Sequence, residues 1–251
     1  MKYIGSKTRL AKHIAPIIND IIKRYDIDTY IEPFCGGLNM MEHINCKNRI
    51  AYDINRYLIN MWKDILNGWM PPKELTKEDY NNIKNNKDNY SDSMVAIAGL
   101  CATYNAKWFG GYAGIVHTKA NTIRNYYDES IRNILKQKDK LIGVKLICDT
   151  YENIECKNSL LYCDPPYEGT TKYKNIDNFD YDTYWNKIRD WSKDNIVLCS
   201  EYHAPFDFVC IYEKTLTTTL DKNSRKKDTE KLFIHEKSYE KIKNSIIIKN
   251  Q

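Results

Sequence analysis

Apolar runs of strand length alternate with segments of helical spacing along most of this 251-residue chain, and that alternation constrains its fold more than any other feature. Strand-like runs stand at Thr29–Phe34, Arg49–Ile54, Lys145–Asp149, Ser159–Asp164, Asn195–Glu201 and Phe206–Glu213. Between them, residues 6–25 place Leu10, Ile14, Ile17, Ile18, Ile21 and Ile22 on one helical face after Ser6, a suitable N-cap. Pro16 falls inside that pattern and predicts a kink or a late helix start. Further helices are predicted near 39–44, 55–66 and 181–193. Strands separated by helices imply a mostly parallel sheet with helices on both faces.

Residues 68–146 break the pattern. After Gly68-Trp69-Met70-Pro71-Pro72 come helical stretches at 76–87 and 93–104, a glycine- and aromatic-rich loop at 105–124, and a helix at 125–140. This reads as a mainly helical insertion in an α/β domain formed by 1–67 and 147–251. Charge follows the same division. The formal net charge is +5, but residues 68–146 carry net +4 and residues 147–214 net −6. Such asymmetry suits a protein that presents one positive face to a polyanion, and equally a chain with solvated surface lysines.

Composition removes several classes. Hydrophobic content of 42% and charged content of 28% exclude a disordered or fibrous chain. The longest nearly apolar stretch, Val95–Ala102, is far short of the roughly 18 residues of a membrane span. The opening Met-Lys-Tyr-Ile-Gly-Ser-Lys has no hydrophobic leader, so secretion is not expected and a cytoplasmic protein is. The eight cysteines form no C-x-x-C pair, and Cys148, Cys163, Cys199 and Cys210 lie in strand-like runs. They are expected to be reduced core residues, with no metal site.

Two constellations carry chemistry. The first is Glu32-Pro33-Phe34-Cys35-Gly36-Gly37, with Asp53 seventeen residues after Gly36. Paired glycines ending a first strand allow a sharp turn and close approach of a ligand, and an acid ending the next strand can accept hydrogen bonds from ribose hydroxyls. The full dinucleotide fingerprint is missing. A nucleoside ligand without pyrophosphate, such as S-adenosylmethionine, fits better, and a tight turn with no ligand remains open. The second is Asp164-Pro165-Pro166-Tyr167, directly after Leu160-Leu161-Tyr162-Cys163. A carboxylate, two prolines that fix the backbone and donate no N–H, and an aromatic ring present acceptors beside a stacking surface. That suits an exocyclic amino group on a planar base. Gly5-Ser6-Lys7-Thr8 mimics the end of a phosphate loop but lacks the preceding strand and glycine. The histidines at 13, 43, 117, 203 and 235 are scattered and read as structural.

With these motifs the chain resembles the Dam-like, D12-class, α-ordered N6-adenine DNA methyltransferases, including DNA adenine methylases of phage type. Tyr3-Ile4-Gly5-Ser6-Lys7 resembles their N-terminal cofactor motif, Glu32–Gly37 their glycine motif, Asp53 their ribose acid, and Asp164–Tyr167 their catalytic D-P-P-Y. The stretch from Gly99 through Tyr112 resembles the segment leading into their DNA-contacting hairpin. Cys35 and Gly37 depart from the usual glycine motif, and the hairpin is unlike a GATC reader. The resemblance implies a Rossmann-like S-adenosylmethionine-dependent methyltransferase fold, with 68–146 as the target-recognition insertion. It implies methylation of N6 of an adenine flipped from double-stranded DNA. Cofactor contacts would fall on Tyr3, Lys7, Glu32, Pro33, Phe34, Cys35, Gly36, Gly37, Asp53, Ile54 and Asp164, and catalysis on Asp164, Pro165, Pro166 and Tyr167. No metal and no membrane are implied. A cognate restriction endonuclease and a monomeric or weakly dimeric state are compatible with it.

For DNA contact, Lys107, Trp108, Tyr112, Lys119, Asn121, Arg124 and Asn125 combine phosphate-neutralising, stacking and base-edge chemistry in one stretch, with Lys172, Tyr173 and Lys174 beyond the catalytic motif. Arg225-Lys226-Lys227 reads as a solvated loop, with a DNA contact as the alternative. Competing functions are methylation of cytosine N4, an RNA base or a protein glutamine at the same site, and a catalytically silent DNA-binding regulator.

Overall fold

The computed structural model describes residues 1–3, 5–117, 122–167, 179–221 and 224–243. It is α/β, with a mostly parallel central sheet. In chain order, helix α1 (Thr8–Arg24) buries Leu10, Ile14, Ile18, Ile21 and Ile22 and runs through Pro16 without ending there. Strand β1 (Thr29–Glu32) and strand β2 (Asn48–Asp53) follow. The helix expected at 39–44 is only a 3₁₀ turn, Met41–His43. The reason is local: Leu38 is left-handed at φ 57° before the turn and Ile44 is extended at φ −97° and ψ 129° after it, so only one turn fits between them.

Helix α2 (Arg56–Leu66) starts where the Asn55 side chain accepts from the Leu58 N–H, and α3 (Lys77–Asn85) starts at a Thr76/Asp79 capping box. The single helix expected at 93–104 is divided into α4 (Asp92–Ala96) and a π-helical turn, Ile97–Cys101. The expected loop 105–124 holds a small hairpin, β3 (Ile115–His117) with β4 (Ile123–Asn125). Then come α5 (Tyr126–Lys138), β5 (Val144–Cys148), β6 (Leu160–Cys163), α6 (Tyr181–Asp194), β7 (Ile196–Glu201), β8 (Phe208–Asp221), β9 (Ser224–His235) and α7 (Glu236–Ile242).

The chain divides into two compact units. The first is Met1–Pro16, Cys35–Ile44 and Ile50–Thr150, and the second is Ile17–Phe34, Asn45–Arg49 and Tyr151–Gln251. In the first, β5 lies beside β2, and α2 packs against α4 and β5. In the second, the strand order is β1-β6-β7-β9-β8. Strand β6 pairs in parallel with β1 and β7, and β9 pairs antiparallel with β7 and β8. All residues of β6 and β7 are buried, as continuous apolar strands between covering layers require.

Two expectations are corrected. Strand β8 extends to Asp221, and Arg225-Lys226-Lys227 lies in β9, in register with Thr219, Thr218 and Thr217, rather than in a loop. Threonine-rich and lysine-rich pairing carries no apolar alternation, so periodicity missed it. All eight cysteines are free, but Cys148 and Cys210 are exposed rather than core. No described helix is long and apolar enough to cross a membrane.

Candidate functional site

In the first unit the glycine turn is built against the chain start. Gly36 has φ +46°, and a Cβ there would lie 2.9 Å from Tyr3 Cε1; on Gly37 it would lie 2.7 Å from Asn39 Nδ2 and 3.0 Å from Tyr3 Cβ. Both positions therefore demand glycine for space, and Gly36 also for conformation. The turn meets β2 through Cys35 N–H, which donates to the Tyr52 carbonyl at 2.9 Å. At the end of β2, Asp53 accepts from Gly36 N–H at 3.0 Å on one oxygen and from Asn55 N–H at 2.9 Å on the other. Enclosure pushes its carboxyl above the ordinary value, opposed by these two N–H donors. Each oxygen keeps acceptor capacity beyond its one backbone bond. Ile54 beside it is exposed, Lys7 is buried, and Ser6 accepts from Asn39 Nδ2 at 2.9 Å.

A residue that sequence reasoning missed ties this turn down. Gln137, buried on α5, donates from Nε2 to the carbonyls of Gly37 at 3.0 Å and Leu38 at 2.9 Å. Its Oε1 accepts from the Met1 amine, which also donates to Asn39 at 3.0 Å; burial lowers the pKa of that amine.

In the second unit, β1 and β6 end side by side. Glu32 is buried and accepts from the Tyr30 hydroxyl at 2.9 Å. Burial, reinforced by the charge of Asp164, pushes Glu32 from an ordinary 4.5 up to about 8 against the pull of that hydroxyl. Pro33 and Pro165 are buried, and Asp164 and Pro166 half-buried. The Pro166 carbonyl accepts from the Tyr181 hydroxyl at 3.0 Å, so of the two acceptor carbonyls expected from the diproline, one already has a donor. Tyr167 donates to Glu230 at 2.7 Å, and Tyr202 meets its ring at 4.8 Å and 84°. Phe34 belongs to an aromatic cluster with Tyr151, Phe179 and Tyr184.

The proposed DNA contacts have varied settings in the first unit. Lys107 is exposed. Trp108 packs on Tyr57 and Phe109 at 5.4 and 4.9 Å, and Tyr112 donates to the Leu75 carbonyl at 2.8 Å. Arg124 makes two hydrogen bonds to Glu129, at 2.9 and 3.0 Å, and lies over the Tyr126 ring. Asn125 caps α5 by accepting from Asp128 N–H at 3.1 Å. Lys119, Asn121, Lys172, Tyr173 and Lys174 lie outside the described residues. Ile115 and Ile123, which sequence reasoning passed over, are exposed on the β3–β4 hairpin, in register with Asn125 and His117 respectively. Among the described residues no cluster of His, Cys, Asp and Glu could hold a metal.

A mostly parallel sheet whose first strand ends in a glycine turn and whose inner strand ends in Asp-Pro-Pro-Tyr defines a class, and the comparison with protein families agrees. Residues 3–207 match the D12 class N6 adenine-specific DNA methyltransferases, and the chain belongs to that family. Among characterised proteins it is similar to the Type II methyltransferase M.FokI of Planomicrobium okeanokoites, 25% identical over 211 residues that cover 76% of this chain and 32% of that protein. It is also similar to the Type II methyltransferase M.MjaIII of Methanocaldococcus jannaschii, 23% identical over 71% of this chain and 72% of the relative. The chain thus spans about a third of the first relative and most of the second.

Proposed function

We propose that the protein transfers a methyl group from S-adenosylmethionine to N6 of an adenine in double-stranded DNA, at a defined sequence. The observation that carries this is Asp164-Pro165-Pro166-Tyr167 at the carboxyl end of the fully buried strand β6, in a chain of the D12 family.

The residues present fit the cofactor. Asp53, bonded to the glycine turn through Gly36 N–H, retains acceptor capacity for hydroxyl donors beside the exposed apolar Ile54. Tyr3, Lys7, Glu32–Gly37, Asp53, Ile54 and Asp164 are the residues that would hold it. When bound, it supplies an electrophilic sulfonium methyl. The remaining work falls to the chain. The amino group of adenine is a poor nucleophile because its lone pair is delocalised into the ring. Asp164 and the Pro165 carbonyl accept hydrogen bonds from its two N–H groups and favour charge at nitrogen. An N–C bond would then form as the methyl–sulfur bond breaks, with S-adenosylhomocysteine as the leaving group and one of the two protons lost from nitrogen. Tyr167 stacks on the base, which must leave the duplex at a cost of about a few kcal/mol. Residues 68–146 serve as the target-recognition insertion, with the β3–β4 hairpin and Lys107 facing DNA. The reading extends to a cytoplasmic, monomeric or weakly dimeric enzyme that can act beside a cognate restriction endonuclease.

Tritium transfer from labelled S-adenosylmethionine to DNA, RNA and protein acceptors tests the reading. DNA is expected to take the label on adenine N6, and Asp164→Ala to bind DNA with negligible transfer. Label in RNA, protein or cytosine, or near-normal turnover in that variant, would overturn it.

A further inference from the structure

We propose that Glu230 is a positioning residue for methyl transfer: its carboxylate holds the Tyr167 hydroxyl and so sets the plane of the ring on which the target base stacks. This rests on the methyl-transfer reading above.

The arrangement constrains Tyr167 at three points. Pro165 and Pro166 fix the backbone leading to it, and Tyr181 holds the Pro166 carbonyl at 3.0 Å. The far end of the ring is held at 2.7 Å by Glu230, sixty-three residues away in sequence. Rotation about the ring axis is opposed by Tyr202, whose ring meets it nearly perpendicularly at 4.8 Å. A tyrosine has two side-chain torsions, and a bond at its tip together with an edge contact on its flank restrains both. The fold brings these partners together through strand pairing. Lys231 of β9 is in register with Glu201 of β7, so Glu230 and Tyr202, the next residues outward, arrive at the end of β6 from neighbouring strands. Burial, with Asp164 and Glu230 close by, pushes the Tyr167 hydroxyl well above its ordinary value, which keeps it a donor. Nothing in the catalytic motif itself calls for a partner on β9. A buried tyrosine could meet its hydrogen bond with a backbone carbonyl, and a carboxylate acceptor gives a stronger and more directional hold.

The test is a double-mutant cycle with Glu230→Ala, Tyr167→Phe and the combination, plus Glu230→Gln. Rates are measured with tritiated S-adenosylmethionine on DNA from a host that lacks adenine methylation, with cofactor binding followed by calorimetry. Glu230→Ala and Tyr167→Phe are each expected to lower kcat by about tenfold, as loss of one charge-assisted hydrogen bond would. Cofactor affinity should stay within about twofold. The double variant should be no slower than the slower single, because both remove the same bond. Glu230→Gln keeps an acceptor oxygen and should recover most of the rate. Tyr167→Phe keeps the ring and its packing, so it probes the bond even if Glu230→Ala fails to fold. Wild-type kcat in Tyr167→Phe, or multiplicative losses in the double variant, would overturn the proposal. A wild-type protein that leaves DNA unlabelled would instead overturn the functional reading on which it rests.

Discussion

Glu32 offers a direct thermodynamic test of the site's electrostatics. It is 3% exposed, and its burial, reinforced by the charge of Asp164, holds its carboxyl at about 8 instead of 4.5 against the opposing hydrogen bond from the Tyr30 hydroxyl. Between those two values the folded protein keeps a proton that the unfolded chain has released. Stability from this group is therefore complete below pH 4.5, declines as pH rises, and is gone once pH passes about 8. The slope is about 1.4 kcal/mol per pH unit, or about 4 kcal/mol from pH 5 to pH 8. Glu32→Gln mimics the protonated acid in shape, still accepts from Tyr30, and does not titrate. Urea unfolding followed by tryptophan fluorescence at half-unit steps from pH 5 to 8.5 should give curves for the two proteins that meet at low pH. They should then separate steadily, with the variant the more stable at pH 8. A stability difference that stays constant within about 0.5 kcal/mol across that range would refute the assignment of a protonated Glu32.

Two further outcomes follow from the first unit. Asp53→Ala removes the acceptor at the end of β2 and should weaken S-adenosylmethionine binding by at least about tenfold in calorimetry; unchanged affinity would exclude Asp53 as a ligand contact. Gln137→Leu conserves volume but strips the buried Gly37 and Leu38 carbonyls of their donor, at a cost of about 2–4 kcal/mol. For a chain of this size that is a fall in Tm of about 5–10 °C by calorimetric scan, and a fall below 2 °C would show that the turn holds itself.

What was legible in the sequence had local causes. Strands β6 and β7 stand out because a doubly covered strand must be apolar at every position, and Leu160–Cys163 and Ile196–Cys199 are. Asp-Pro-Pro-Tyr is legible because its chemistry lies in four consecutive residues. Strand β9 was hidden because its outer half pairs lysines and an arginine with threonines, a pattern that also describes a solvated loop. Asn125 and Arg124 carry side chains able to read bases, but which atoms are already occupied by a helix cap and by Glu129 depends on the fold of the hairpin. Gln137 and Glu230 lie 100 and 63 residues from the groups they hold, and no spacing rule reaches that far.

The π-helical turn at Ile97–Cys101 sets a limit on how this chain can vary in length. Ala102 N–H reaches back five residues to the Ile97 carbonyl, and at the centre Gly99 lies so close to Trp108 that an added Cβ would come within 2.7 Å of the indole. Such a turn holds one residue more than the α-helix around it. Deleting any one of the five would let the turn close up as an ordinary α-turn and would shift Gly99 relative to the residues that pack on it. Phe109 N–H, bonded to the Gly99 carbonyl at 3.0 Å, and the Trp108 ring would both lose their places. Both the glycine at 99 and the number of residues in this turn are held.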